Sequence, residues 1–86
     1  MPEIARFFGI VVRMYVDDHH PPHFHARHAG LEVAIAIEDL AVLRGRLSPR
    51  ALALVVEWAA IHRTELEADW DLASAGLPLR RIEPLR

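Results

Sequence analysis

The side chains best suited to chemistry crowd into one stretch, Asp17-Asp18-His19-His20-Pro21-Pro22-His23-Phe24-His25-Ala26-Arg27-His28. It holds five of the chain's six histidines, in a protein with no lysine and no cysteine. Imidazole is the side chain whose ordinary pKa lets it exchange a proton near neutral pH, and it is also the commonest metal ligand. Without cysteine, thiolate zinc sites, disulfides and thiol catalysis are all excluded. The chemistry open to this segment is therefore metal ligation, proton transfer or anion binding.

His23-Phe24-His25 is the sharpest pattern. Two residues apart on a strand, the imidazoles leave the same face about 7 Å apart along the chain, close enough to meet one ion. With a third ligand such a pair holds a divalent transition metal such as Zn, Ni, Fe or Cu. His19, His20 and Asp18 in the adjoining loop, or His28 further on, could complete it. The plainer reading has Phe24 and Ala26 in the core and the histidines as surface or capping groups.

A second pattern emerges if Phe24 faces inward, because Arg13, Tyr15, His23, His25, Arg27 and Glu32 then share the outer face of a sheet. Arginines fix phosphate, while His and Tyr move protons, so Arg13, Tyr15, His23, His25 and Arg27 form a candidate catalytic set. Such a set can cleave RNA through its 2′-hydroxyl without a metal, or simply bind it with Tyr15 as a stacking surface. Its bland counterpart is a solvated strand face with cross-strand charge pairs. A third group, His62, Glu65 and Asp69, falls inside the apolar arc of a helix, where a carboxylate could orient a loop histidine. The reading preferred for it is a helix end with Glu65 and Asp69 exposed.

The elements that must position these groups follow from local patterning. Ile4, Phe7 and Phe8 are apolar anchors, and Gly9 marks a bend. Ile10 to Val16 is β-branched and aromatic, which predicts a strand ended by Asp17-Asp18. The Pro21-Pro22 step keeps the preceding residue extended. His23 to His28 and Leu31 to Glu38 are predicted as strands joined at Ala29-Gly30, and Ala41–Leu43 as a short fourth strand or a helical turn. Ser48-Pro49 opens a helix expected to run to about Ser74, with Gly76 ending it and Pro78 beyond. Its apolar arc is wider than one sheet face requires. Either it breaks near Arg63-Thr64 into two helices, or another protein, including a second copy, covers the far side. Arg80 to Arg86 reads as a short basic tail.

Length and composition limit the rest. With 86 residues there is one small domain and one core. Hydrophobic residues make up 52% and charged residues 26%, which excludes a disordered chain. The formal charge of −2 excludes a global basic field, although ten arginines can still form a local patch. With no signal pattern and no long apolar run, the expectation is a cytoplasmic protein without a membrane partner.

The runs Arg6-Phe7-Phe8-Gly9-Ile10, Met14-Tyr15, Asp18-His19 and Pro21-Pro22-His23-Phe24-His25 resemble a small bacterial domain-of-unknown-function family, DUF4160. The likeness continues through Arg50-Ala51-Leu52-Ala53-Leu54-Val55, Glu57-Trp58-Ala59, His62-Arg63, Glu65-Leu66 and Trp70 to Ile82-Glu83-Pro84-Leu85. It implies a compact α+β protein whose gene often sits beside another small one, an arrangement like a type II toxin–antitoxin pair. It transfers no catalytic residue. His19, His23 and His25 match its motif, whereas His20 stands where asparagine is expected.

The expected fold is α+β, with three or four antiparallel strands followed by one long or two consecutive helices packed on one face. The leading functional expectation is a component of a toxin–antitoxin-like module that binds a small cognate protein and binds or cleaves RNA. The alternatives are a metal-binding protein or metal-dependent hydrolase using His19, His23 and His25, and a non-catalytic adaptor whose histidines only shape a loop.

Overall fold

A computed structural model describes residues 2–16 and 21–86 of the chain. Five strands come first, β1 (Glu3–Phe7), β2 (Ile10–Arg13), β3 (His23–His28), β4 (Leu31–Ala36) and β5 (Val42–Gly45). Two helices follow, α1 (Pro49–Ile61) and α2 (Arg63–Ser74). The strands form one antiparallel sheet in the order β1-β2-β3-β4-β5, so every neighbour in space is a neighbour in sequence. The expected α+β architecture is present, with one strand more at the N-terminal edge.

That extra strand is held by a hairpin and a bulge. Phe8 and Gly9 both have positive φ, 50° and 77°, as do Ala29 and Gly30, at 52° and 78°. Each pair is the two-residue turn that matches strand twist and joins antiparallel neighbours tightly. In β1 the register moves from Glu3 opposite Arg13 to Ala5 opposite Val12, leaving Ile4 as the extra residue of a bulge. Ile4 and Ala5 are consequently both buried, while Glu3 and Arg6 meet outside at 2.7 Å. Strand alternation resumes beyond the bulge.

The inner sheet face carries Ile10, Val12, Phe24, Ala26, Val33 and Ile35, all essentially buried. Ala51, Val55, Trp58 and Ala59 of α1 join the same core. Trp58 sits between Phe7 and Phe24, with ring centroids 5.5 and 6.0 Å away. Ser48 caps α1 by accepting a hydrogen bond from the Ala51 N–H, and Pro49 occupies the first turn. The long helix breaks at His62 (φ −111°, ψ 25°), one residue before the expected Arg63-Thr64 step. This break divides the wide apolar arc between α1 and α2, and α2 buries Leu66 and Asp69.

At the end of α2, Gly76 is left-handed, and the Leu77 and Gly76 N–H groups donate to Leu72 and Ala73 carbonyls. This is a Schellman closure. The following segment is not a free basic tail. Ile82 is buried, its N–H donates to the Ile4 carbonyl at 2.8 Å, and Trp58 Nε1–H donates to the Glu83 carbonyl at 2.8 Å. Arg81 also reaches Glu3 at 3.1 Å. None of the helices among the described residues is long and apolar enough to cross a membrane.

Candidate functional site

Alternation along β3 sends Phe24 and Ala26 into the core and His23, His25 and Arg27 to the other side. Antiparallel register then fixes their neighbours. Arg13 lies opposite His25, Ala34 lies opposite His25 from β4, and Arg44 lies opposite Ala34. Arg27 lies between Val11 and Glu32. The outer face therefore has one row of Arg13, His25, Ala34 and Arg44, with Arg27 and Glu32 in the next row.

The two histidines of the central motif have different environments. His23 is fully buried, which corrects the expectation that it emerges on a solvated face. Trp70 from α2 lies against it, with centroids 5.4 Å apart. Sequence reasoning missed this because Trp70 is placed by the turn at His62, a non-local event. The Pro21 carbonyl lies 2.9 Å from His23 Nδ1 and can only accept, so Nδ1 carries the proton. His25 is 9% exposed and packs edge-on to His23, at 5.2 Å between centroids.

Tyr15 covers His25 from outside. The two rings are stacked, with centroids 4.6 Å apart and planes 6° from parallel. His25 Nδ1 also stands 3.4 Å from a Glu32 carboxylate oxygen. Beside this stack His25, Glu32, Ala34 and Arg44 line a shallow depression of about 100 Å³. Small Ala34 and Ala36, both buried, keep the floor flat. Arg13 is half-buried, and Arg27 and Arg44 are exposed. None of the three makes an ion pair with another described residue.

Four of the five residues expected to act together, Arg13, Tyr15, His25 and Arg27, thus share the outer face, and His23 lies beneath its end. Arg44 is an addition. The sequence placed the fourth strand no further than Leu43, whereas a second bulge, between Ala34 and Ile35, carries β5 on to Gly45. Asp18, His19 and His20 lie outside the described residues, so of the expected three-histidine set only His23 and His25 are described. Among the described residues no group of three or more His, Cys, Asp or Glu is placed to hold a metal ion. His28 is at the other end of β3, in a small recess with Phe8 and Arg50.

The helix group also resolves differently from expectation. Glu65 is exposed and holds His62 Nδ1 at 2.5 Å, so it orients a histidine of its own helix junction rather than of the loop. Asp69 is not exposed but 99% buried, being 1% accessible. Its Oδ1 accepts from the Arg80 N–H at 3.0 Å, and its Oδ2 has no hydrogen-bond partner among the described residues. Burial raises its pKa, against the lowering by the Arg80 hydrogen bond and charge. Glu3 moves the other way, held at about 2 chiefly by its hydrogen bond to Arg6 and then by Arg81.

Comparison with curated proteins gives no match, and comparison with solved structures gives none either. Residues 9–71 match the model of a family described as Domain of unknown function (DUF4160). The matched span runs from the Gly9 turn through the outer-face strands to the residue after Trp70, taking in both the histidine motif and the aromatic lid over it. With most of its length inside that match, the chain belongs to the DUF4160 family.

Proposed function

We propose that this protein is the RNA-binding member of a toxin–antitoxin-like module with a small protein partner, and that the outer sheet face is its RNA contact surface. The observation that carries this reading is the set Arg13, Arg27 and Arg44 on strands β2, β3 and β5 of one sheet, without ion-pair partners among the described residues. Strands lie about 4.8 Å apart, so Arg13 and Arg44, three strand spacings apart, span roughly 14 Å, enough to follow more than one phosphate. The Tyr15–His25 stack between them supplies a flat aromatic surface of the kind on which single-stranded bases stack. Burial of His23 argues for binding without cleavage, because a buried imidazole cannot exchange protons with a bound ribose.

Fluorescence anisotropy with a labelled single-stranded RNA in about 50 mM salt tests the reading. Binding is expected, with loss of about tenfold or more in affinity for the triple variant Arg13→Ala, Arg27→Ala, Arg44→Ala, while circular dichroism stays unchanged. Wild-type protein that fails to bind, or a triple variant that binds equally well, overturns it. RNA recovered in fragments would instead restore the cleavage reading. The module itself is tested by co-purification with the product of the neighbouring gene.

The His23–His25 ring separation of 5.2 Å favours one second reading, a divalent metal site or metal-dependent hydrolase completed by His19. Elemental analysis of untagged protein decides it, since stoichiometric Zn or Ni is required and its absence eliminates the idea.

A further inference from the structure

Between α2 and the end of the β3–β4 pair lies a cleft of about 350 Å³. Its apolar wall is Pro22, Ile37 and Trp70, and its polar wall is Glu38, Glu67 and Asp71. The apolar wall is built by the fold. The Ile37 N–H donates to the Pro22 carbonyl at 3.0 Å, extending the strand pairing, and Trp70 is anchored on His23. Trp70 is only partly buried and lines the cleft with what remains accessible.

The acidic wall is locally unfavourable, which is what makes it informative. Glu67 and Asp71 are four apart on α2, so two like charges stand one above the other, an arrangement that destabilises a helix. Asp71 also sits in the last turn, where the helix dipole favours cations, and α2 has no basic residue there. Among the described residues neither carboxylate, nor that of Glu38, has a cationic partner, and none of those lining the cleft is basic. Half-buried Glu3 and exposed Glu83, by contrast, each have an arginine. Arg80 shares only the adjoining recess on the other side of Asp71. Local rules broken together around an aromatic wall are the mark of a binding surface.

We propose that this cleft receives an arginine side chain presented by a partner protein. The guanidinium is held among Glu38, Glu67 and Asp71, and its planar group and aliphatic stem lie on the Trp70 indole. Arginine fits better than lysine because its flat, weakly hydrated cation both stacks on an aromatic ring and pairs with carboxylates in a fork. The volume is at the small end of ligand pockets, roughly 300–1,000 Å³, and suits one side chain rather than a large cofactor. This deepens the reading above by naming how the protein partner is gripped, and its test does not involve the arginine face or RNA.

The test follows the two tryptophan indole N–H signals of the full chain in ¹⁵N spectra. The probes are acetyl-Gly-Arg-Gly-amide, its Gly-Glu-Gly counterpart and free guanidinium. The expected result is a saturable shift of the Trp70 signal by the arginine peptide alone, with buried Trp58 unmoved. The surface variant Glu67→Gln, Asp71→Asn is expected to bind the peptide about fivefold more weakly while its spectrum keeps the wild-type dispersion. An unmoved Trp70, an equal response to the glutamate peptide, or full affinity in the variant overturns the proposal. Guanidinium binding as tightly as the peptide would make the cleft a small-cation site and overturn the partner assignment. A Trp70 shift on raising protein concentration alone would give the cleft to a second copy and overturn it likewise. RNA anisotropy on the same samples separates the two readings, because loss of peptide binding with RNA binding intact removes only the cleft.

Discussion

The phenol ring of Tyr15 lies flat on the imidazole of His25, 4.6 Å between centroids, and so closes the central row of the outer sheet face. One ring fixes the other: His25 is held from below by the sheet and from outside by Tyr15, with Glu32 at its Nδ1. Tyr15→Ala is expected to lower stability by about 1 kcal/mol through loss of the aromatic contact. It should also weaken single-stranded RNA binding by about tenfold, as loss of a stacking platform does. Tyr15→Phe keeps the ring and should retain both, so urea denaturation and anisotropy on the pair separate stacking from the hydroxyl.

The arginines of the same face make a prediction about salt. Each phosphate contact to a single strand adds about 0.7 to the slope of log affinity against log salt. Arg27, exposed beside Glu32, is the simplest to remove. Arg27→Ala should reduce the slope by about 0.7 and weaken binding evenly across RNA sequences. A titration series in potassium chloride measures it, and an unchanged slope would take Arg27 out of the interface.

His23 has the opposite character, with structure rather than contact as its role. It is fully buried between Trp70 and His25 and donates to the Pro21 carbonyl. His23→Ala removes a large buried ring and a hydrogen bond, for an expected loss of about 2–4 kcal/mol. Folded protein carrying the change should still bind RNA. Denaturation curves and binding at a temperature well below the midpoint check both halves, and a variant that is stable but unable to bind would return His23 to the functional site.

How far the sequence revealed these arrangements depended on how local their causes are. The strands at His23–His28 and Leu31–Ala36 follow from alternation and the Ala29-Gly30 turn, and the helix start follows from Ser48-Pro49. The first strand was hidden because its bulge at Ile4 spoils the alternation and because Phe8 is an unusual residue for a positive-φ turn position. Arg13, Tyr15, His25 and Arg27 were legible as one face because a period of two and two registers place them. The burial of His23 and Asp69 was not, since it depends on where α2 and residues 79–82 dock after the His62 break. Both are long-range consequences of packing, and no short window encodes them.

Glycine positions test the sheet's edges. Gly45 has φ +74°, and a Cβ there would lie 2.1 Å from the Glu32 carbonyl oxygen, a backbone atom that cannot swing aside. Gly30 has nearly the same φ, +78°, but nothing within 4 Å of the added carbon. Gly30→Ala should therefore cost only about 1 kcal/mol, the ordinary left-handed penalty. Gly45→Ala adds a steric clash that must displace β5, and should cost about 3 kcal/mol or more and disturb Arg44. Comparing the two denaturation midpoints isolates the clash from the backbone preference.

Asp69 and Glu3 act on stability in opposite directions as pH changes. Burial raises the Asp69 pKa in the folded protein, so between its unfolded and folded values the folded state binds more protons. Stability from this group is therefore lost as pH rises through that window and is regained on acidification. Glu3, held at about 2 by Arg6 and Arg81, binds more protons when unfolded, so its contribution is present above about pH 4.5 and disappears as pH falls toward 2. The two together give a stability maximum within the ordinary carboxylate range, with a decline above it that belongs to Asp69. In Asp69→Asn the side chain keeps an oxygen for the Arg80 N–H and cannot ionise. The decline above the ordinary carboxylate range should then vanish while the acidic limb set by Glu3 persists. Urea denaturation across that range decides it, and a wild-type profile already flat there would mean that the Asp69 carboxyl ionises without penalty beneath Arg80.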